Sequence, residues 1–368
     1  MRTMRIGIDC KSMSLPYYCG LKTYTHQLVK NLALIDKANT YVLFSPFPIG
    51  APRNKRFTIV CPHKVISWIP WQALLPIMSR FYQTDIFHIP RQHGLLFPFH
   101  PRIVTTVHDL INEVSYVDRY GKLYSYLLMS YLTLLRKYTI SHSQAIITVS
   151  RFVRNELLSK GIAKRVYIIH SGVSKSFMPI KNAHFKGKNT YFLVMTDYSK
   201  RKNLDRTLYA YSGLPAAIRA TCALHILVPN GKGTPGLSSL CQKLGIQQRV
   251  IFHISLTEKQ LSLLYSNAVA FVYPSLAEGF GLPILEAMAC GCPVITSRRT
   301  ATKETAGNAA LFVNPYSIEE IQEAMQRLYD DPATAHAYSR KGIVRAKGFS
   351  WEKTAKNTLM VYKKLYIQ

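Results

Sequence analysis

Two glutamates, Glu278 and Glu286, flank the glycine-rich turn Gly279-Phe280-Gly281 in the segment PSLAEGFGLPILEAMACGCPV, Pro274 to Val294. Carboxylates accept hydrogen bonds from vicinal hydroxyls, and sugars and riboses are built of vicinal hydroxyls. The apolar run Ala268–Tyr273 reads as a buried parallel strand, and the residues after Pro283 read as a helix that stops at Gly291. A strand, a glycine turn and a helix start bring free backbone N–H groups and a helix dipole to one anionic ligand. The chemistry suggested is recognition of a hydroxyl-rich anion. Glu278 would face the crevice from the turn, and Glu286 would reach it from one helical turn further on. A helix start decorated with favourable acids is the plainer reading. It accounts for an early acid but not for Gly-Phe-Gly between two of them.

Weaker signals lie elsewhere. Gly20 falls between the first expected strand and the first expected helix, where a glycine lets backbone approach a phosphate; an ordinary loop glycine is the alternative. In TVHDL, His108 and Asp109 sit at the end of an expected strand, so His108 could donate to a substrate hydroxyl or to backbone. In SKRKN, Ser199 to Asn203, Arg201 and Lys202 sit at a strand-to-helix junction suited to a diphosphate, while Lys200 also reads as solvated surface. LVPNGKG, Leu227 to Gly233, reads as lining a crevice, and Trp351 as a packing anchor. No Asp-x-Asp, G-x-S-x-G, H-E-x-x-H or Walker A pattern is present, so no metal site is expected.

The elements that must hold these residues alternate. Short β-like runs at Arg5–Asp9, Tyr41–Phe44, Phe57–Cys61, Ile86–His88, Ile103–His108, Ala145–Val149 and Val166–His170 are separated by helix-like stretches at Thr23–Leu34, 70–82 and 121–140. After a polar basic stretch, Pro179–Asn189, the scheme repeats from Tyr191 to Val313 and ends in three helical segments. Alternation with short connections argues for doubly wound parallel sheets. Two Rossmann-like domains are expected, residues 1–180 and 181–349, with a last helix at 350–368 packing back on the first. Ligands of such sheets lie at the carboxyl ends of the strands, so a cleft between the domains is the expected binding place.

Composition narrows the function classes. A chain of 368 residues with 48% hydrophobic content has ample core for two domains. Seven scattered cysteines suit a reduced setting. No secretory signal and no bilayer-spanning run is expected. The net charge of +28 fits an anionic membrane surface, nucleic acid, or a basic host proteome. Nucleic acid has no supporting motif and is not expected. The stretches Ile69–Tyr82 and Tyr116–Tyr138 mix Trp, Tyr and Leu with cations; they read either as interfacial helices or as ordinary core helices.

The run E-G-F-G-L-P-x-x-E-A-M-A-C-G-x-P-V resembles the Glu-x7-Glu element of retaining glycosyltransferases of family 4, and the likeness extends along nearly the whole chain. The resemblance implies the GT-B fold and hexosyl transfer from a nucleotide sugar to an acceptor hydroxyl. GDP-mannose is the first expected donor and a UDP-hexose the second. It implies catalytic roles for Glu278, His108 and Lys202. Glu278 with the amides of Gly279, Phe280, Gly281 and Leu282 would hold the hexose, Glu286 the ribose, Arg201 and Lys202 the diphosphate, and Gly20 a phosphate loop. The acceptor would be a glycan or lipid-linked glycan, and the enzyme would be cytoplasmic, peripheral on the inner membrane face. Two positions depart from the family. Lys22 stands where a small residue is usual, and Asp197 stands in the place of the usual arginine five positions before Lys202. An acid there is unfavourable to a phosphate. A donor-binding protein without activity, or a phosphorylase or epimerase on the same fold, are the alternatives.

Overall fold

The computed structural model describes residues 3–15, 19–50, 52, 54–62, 71–94, 102–111, 122–162, 165–180, 190–228 and 234–367. The chain divides into two compact units, one of Met1–Gly172 with Ser350–Gln368, the other Val173–Phe349. The division falls before the basic stretch that the sequence suggests as linker, most of which (181–189) lies outside the described residues. Residues from Val173 onward are claimed by the second unit: the Val173 N–H donates to the Phe349 carbonyl at 3.3 Å, and Ser174 Oγ donates to Glu258 at 3.1 Å.

The first unit contains β1 (Arg5–Asp9), α1 (Gly20–Ile35), β2 (Thr40–Phe44), β3 (Phe57–Val60), α2 (Trp71–Phe81), β4 (Ile86–Ile89), β5 (Ile103–Val107), α3 (Lys122–His142), β6 (Ala145–Thr148), α4 (Arg151–Ser159) and β7 (Val166–Ile168). The second contains β8 (Thr190–Met195), α5 (Leu204–Ser212), α6 (Ala216–Thr221), β9 (Cys222–Val228), α7 (Thr234–Lys243), β10 (Val250–Ile254), α8 (Glu258–Asn267), β11 (Ala270–Tyr273), α9 (Leu282–Ala289), β12 (Val294–Ser297), α10 (Thr300–Ala306), β13 (Leu311–Val313), α11 (Ile318–Asp330) and α12 (Pro332–Lys347). The last helix, α13 (Trp351–Ile367), returns to the first unit.

Both sheets are parallel and follow one plan. The strand order is β3-β2-β1-β4-β5-β6-β7 in the first and β10-β9-β8-β11-β12-β13 in the second. The central strands β5 and β11 are buried at every residue, as strands covered on both faces must be. Each order reverses once, at β1/β4 and at β8/β11, and the crevice outside the carboxyl ends there is where such sheets take ligands.

A buried polar chain ties α13 to the first sheet. His88 on β4 bonds the Tyr362 hydroxyl at 2.6 Å and Thr106 Oγ1 on β5 at 2.8 Å, and Tyr24 on α1 meets Thr106 at 3.3 Å. Trp351 is buried, and its ring meets Tyr24 edge-on at 5.8 Å. Gly172 permits this approach, because a Cβ there would lie 2.1 Å from the Trp351 nitrogen. The second core gathers Phe192, Val194, Leu208, Tyr211, Leu224 and Val272 around β8, β9 and β11.

Candidate functional site

In the second unit, β8 and β11 are hydrogen-bonded neighbours, with Phe192 opposite Ala270 and Val194 opposite Val272. The turns that leave their carboxyl ends, Ser199–Asn203 and Pro274–Gly281, therefore emerge side by side. They are stitched together: the Leu276 N–H donates to the Arg201 carbonyl at 2.7 Å, and the one Ser275 hydroxyl hydrogen is shared between that carbonyl, at 2.9 Å, and Glu278 Oε1. Asn203 adopts φ +58° and sends its amide to the carbonyls of Pro274 and Pro315, at 3.1 and 2.5 Å. This left-handed turn places Arg201 and Lys202 beside a glutamate 76 residues away from Lys202.

Glu278 is 7% exposed, and its Oε1 receives Lys202 Nζ at 2.7 Å, Arg201 at 3.0 Å, the Tyr273 hydroxyl at 2.7 Å and Ser275 Oγ at 2.8 Å. Its own N–H donates to Thr300 Oγ1 at 2.9 Å. Burial acts to raise the carboxyl pKa, but the charges of Lys202 and Arg201 and the hydrogen bonds outweigh it, and the group lies below the usual carboxylate range. Lys202 is buried too; it donates to the Tyr273 hydroxyl and lies 4.7 Å from that ring's centroid. Burial and then Glu278 drive the Tyr273 phenol pKa upward, which keeps it a donor. Asp197, whose side chain is 36% exposed, accepts from Arg201 at 2.6 Å. Lys200 is exposed, as a solvated surface lysine would be.

The other half of the turn feeds α9. Gly281 is its N-cap at φ +97°, a conformation that side chains other than glycine rarely adopt. Gly279 and Phe280 are buried, and the Phe280 carbonyl accepts from Thr305 at 2.5 Å. Leu282 opens the helix, where the first N–H groups have no partner within it. Glu286 lies one turn into α9 and is 2% exposed. The helix ends at Ala289, with Gly291 at φ +76° just beyond.

In the first unit the candidates are bound to backbone. Gly20 is exposed and begins α1; a 3-10 turn, Lys11–Ser14, separates it from β1. Lys22 donates to the Leu15 carbonyl at 2.5 Å, so its ammonium closes the preceding loop. His108 contacts the Pro90 carbonyl through Nε2 at 3.1 Å and meets Tyr24 edge-on at 4.7 Å. A carbonyl can only accept, so Nε2 carries the hydrogen. Burial lowers the ring's pKa to about 4, so at neutral pH Nδ1 is a bare acceptor. The expectation that His108 donates is thereby narrowed: it donates to backbone and offers a ligand only a lone pair. The end of LVPNGKG, residues 229–233, lies outside the described residues.

Tyr273, Ser275 and Thr300 hold Glu278 without standing out in the sequence. Tyr273 closes an apolar strand and looks like core. A second cluster has no local sequence signal: Asp9, 1% exposed at the end of β1, accepts from Trp71 Nε1 at 2.9 Å and from Arg91 at 3.1 and 2.9 Å. Among the described residues, no three His, Cys, Asp or Glu side chains are grouped to hold a metal ion.

Two parallel α/β sheets of one strand order, with ligand-type turns at the switch point of the second, define a GT-B protein. Solved structures agree on the fold: sucrose-phosphate synthase from Thermosynechococcus elongatus superposes with TM-score 0.79 at 20% identity over 99% of both chains. WaaG, a glycosyltransferase involved in lipopolysaccharide biosynthesis, gives 0.75 at 16% identity over 96% of this chain and 98% of that one. Residues 18–177 match the family described as Glycosyltransferase Family 4, and 178–345 match Glycosyl transferases group 1. The chain belongs to this family of glycosyltransferases. It is 28% identical to O-antigen chain mannosyltransferase B of Escherichia coli over 94% of its own length and 96% of that protein's. It is 29% identical to the serotype-specific mannosyltransferase WbdA of the same species over 52% of its length, which is 25% of that longer protein.

Proposed function

We propose that the protein transfers a mannosyl group from GDP-mannose to a hydroxyl of a glycan or lipid-linked glycan, with retention of configuration and without a metal ion. One observation carries the reading: a buried carboxylate held by Lys202 and Arg201 at the β8/β11 switch point, beside the start of α9. The names of the relatives favour mannose, and a UDP-hexose is the control donor. The second unit holds the donor and the first recognises the acceptor.

In this reading Lys202 and Arg201 stabilise the departing diphosphate, the task that a metal would otherwise perform. Glu278, with the amides of the 279–282 turn, holds hexose hydroxyls, and Glu286 holds the ribose. His108 accepts from a sugar hydroxyl through Nδ1. Lys202, Arg201 and Tyr273 already engage Glu278 Oε1, which weakens the carboxylate as a nucleophile, and this reading routes no glycosyl-enzyme through Glu278. The acceptor oxygen attacks on the face the diphosphate leaves; the new C–O bond forms as the anomeric C–O bond breaks, and the proton passes to the leaving phosphate. The described residues include no helix long and apolar enough to cross a membrane. The surplus of 47 Lys and Arg over 19 Asp and Glu supports work at the anionic inner face of the cytoplasmic membrane.

The test is transfer from labelled GDP-mannose in EDTA, with the product's anomeric configuration read by NMR. Glu278→Ala and Lys202→Ala should each lower turnover by on the order of a hundredfold. Wild-type rates in either variant, or an inverted product, would sink the assignment.

A further inference from the structure

The acid at position 197 has a definite task in this geometry. Its Oδ1 accepts from the Ser199 N–H at 3.1 Å and the Ser199 hydroxyl at 2.5 Å, which fixes the carboxylate on its own turn. Its Oδ2 takes one edge of the Arg201 guanidinium, at 2.6 Å, and the other terminal nitrogen of the same group reaches Glu278 at 3.0 Å. Arg201 is thus stretched between two anchored carboxylates. A guanidinium is planar and keeps its donors in a fixed fork, so holding one edge sets the direction of the other. The set of Asp197, Glu278, Arg201 and Lys202 balances in formal charge, two against two.

We infer that Asp197 is a positioning residue that aims Arg201 at Glu278 and the donor diphosphate, and that it repels that diphosphate while doing so. The second half follows from its place: an exposed anion beside the cations that must bind another anion weakens the binding, yet without it the guanidinium loses its aim. Asp197 and turnover are therefore linked through Arg201, and this part rests on the donor-site reading above.

The two effects separate in Asp197→Asn, which keeps the shape and removes the charge. Calorimetry with inorganic pyrophosphate should show binding three- to tenfold tighter than wild type, while kcat for sugar transfer falls about tenfold. Asp197→Glu, which keeps the charge, should recover most of the turnover. A merely structural role would not tighten pyrophosphate. Independently of any ligand, nitrogen-15 spectra of the full chain should show slowly exchanging Arg201 guanidinium signals, identified by their loss in Arg201→Lys, that disappear in Asp197→Asn. Retention of those signals in Asp197→Asn, or kcat and pyrophosphate affinity both within twofold of wild type, overturns the inference. A wild-type protein that binds no pyrophosphate and turns over no nucleotide sugar defeats the donor-site reading instead; the guanidinium spectra still decide whether Asp197 fixes Arg201.

Discussion

The two units share a strand order but treat their charged residues differently. In the second unit the candidate site is a network of side chains that hold one another: Lys202, Arg201, Tyr273 and Ser275 converge on one oxygen of Glu278. In the first unit the candidates are tied to backbone, His108 to the Pro90 carbonyl and Lys22 to that of Leu15. A network of mutual charges is fixed before a ligand arrives, the preorganisation that stabilising a leaving diphosphate requires. Backbone ties fix single residues, and the side-chain network of the first unit is the smaller one of Asp9, Arg91 and Trp71. In the proposed reading the second sheet carries the reaction chemistry and the first the acceptor recognition.

Breaking the network should have the largest consequence. Lys202→Met removes a buried cation and leaves Glu278 a buried carboxylate short of a partner. Turnover should fall by a hundredfold or more, and the second unit should lose about 3 kcal/mol in urea unfolding. In the first unit, His88→Ala takes the partner from the buried Tyr362 hydroxyl and leaves Thr106 only Tyr24, where an unsatisfied buried hydroxyl costs about 1–3 kcal/mol. Donor affinity in that variant should stay within twofold of wild type, because the damage lies in the other unit.

Acid sharpens the contrast. His88 is fully buried, and burial followed by the nearby His108 lowers its pKa to about 3, while burial lowers His108 to about 4. The unfolded chain takes up these protons near the ordinary histidine value of 6.5, so stability falls as pH drops from there toward the folded values, by about 1.4 kcal/mol per pH unit for one such histidine. Glu278 responds with the same sign over a more acid window: its folded pKa lies below the ordinary carboxyl value of 4.5, so its contribution is complete above that and is lost as pH falls through the lower folded value. His225 and His253, lowered by burial, add a smaller loss in the second unit because both are partly exposed. Of the 3 tryptophans, Trp71 and Trp351, the two among the described residues, fall within the first unit. Tryptophan fluorescence should therefore report unfolding between pH 6 and 4 at lower urea, while pyrophosphate binding by the second unit persists. The smallest change belongs to Lys200→Ala: it is exposed, and turnover should remain within twofold.

How much of this the sequence carried depended on locality. The strand, glycine turn and helix around Glu278 are contiguous, and β11, the αL cap at Gly281 and the stop before Gly291 all follow from short-range rules. The short α4 has a weak sequence signal although Ser150 caps it, accepting from Val153 at 3.2 Å, because a helix of 9 residues carries few apolar positions. What holds Glu278 was not local. Tyr273 reads as core until β8 is placed beside β11, and only that register brings Lys202 to its hydroxyl. Asp197 looked unfavourable in the sequence because its partner, four residues on, is shared with a glutamate in another turn. The unit boundary at Gly172 was set by contacts of Val173 and Ser174, to which composition is blind.

The most direct test of the donor site is calorimetric titration of the metal-free protein with GDP-mannose, UDP-glucose and UDP-N-acetylglucosamine, repeated on Glu286→Ala. Saturable binding of GDP-mannose in EDTA, lost in that variant, is the predicted result. No binding of any sugar nucleotide, or binding that Glu286→Ala leaves intact, would contradict a donor site built on the β8/β11 turns.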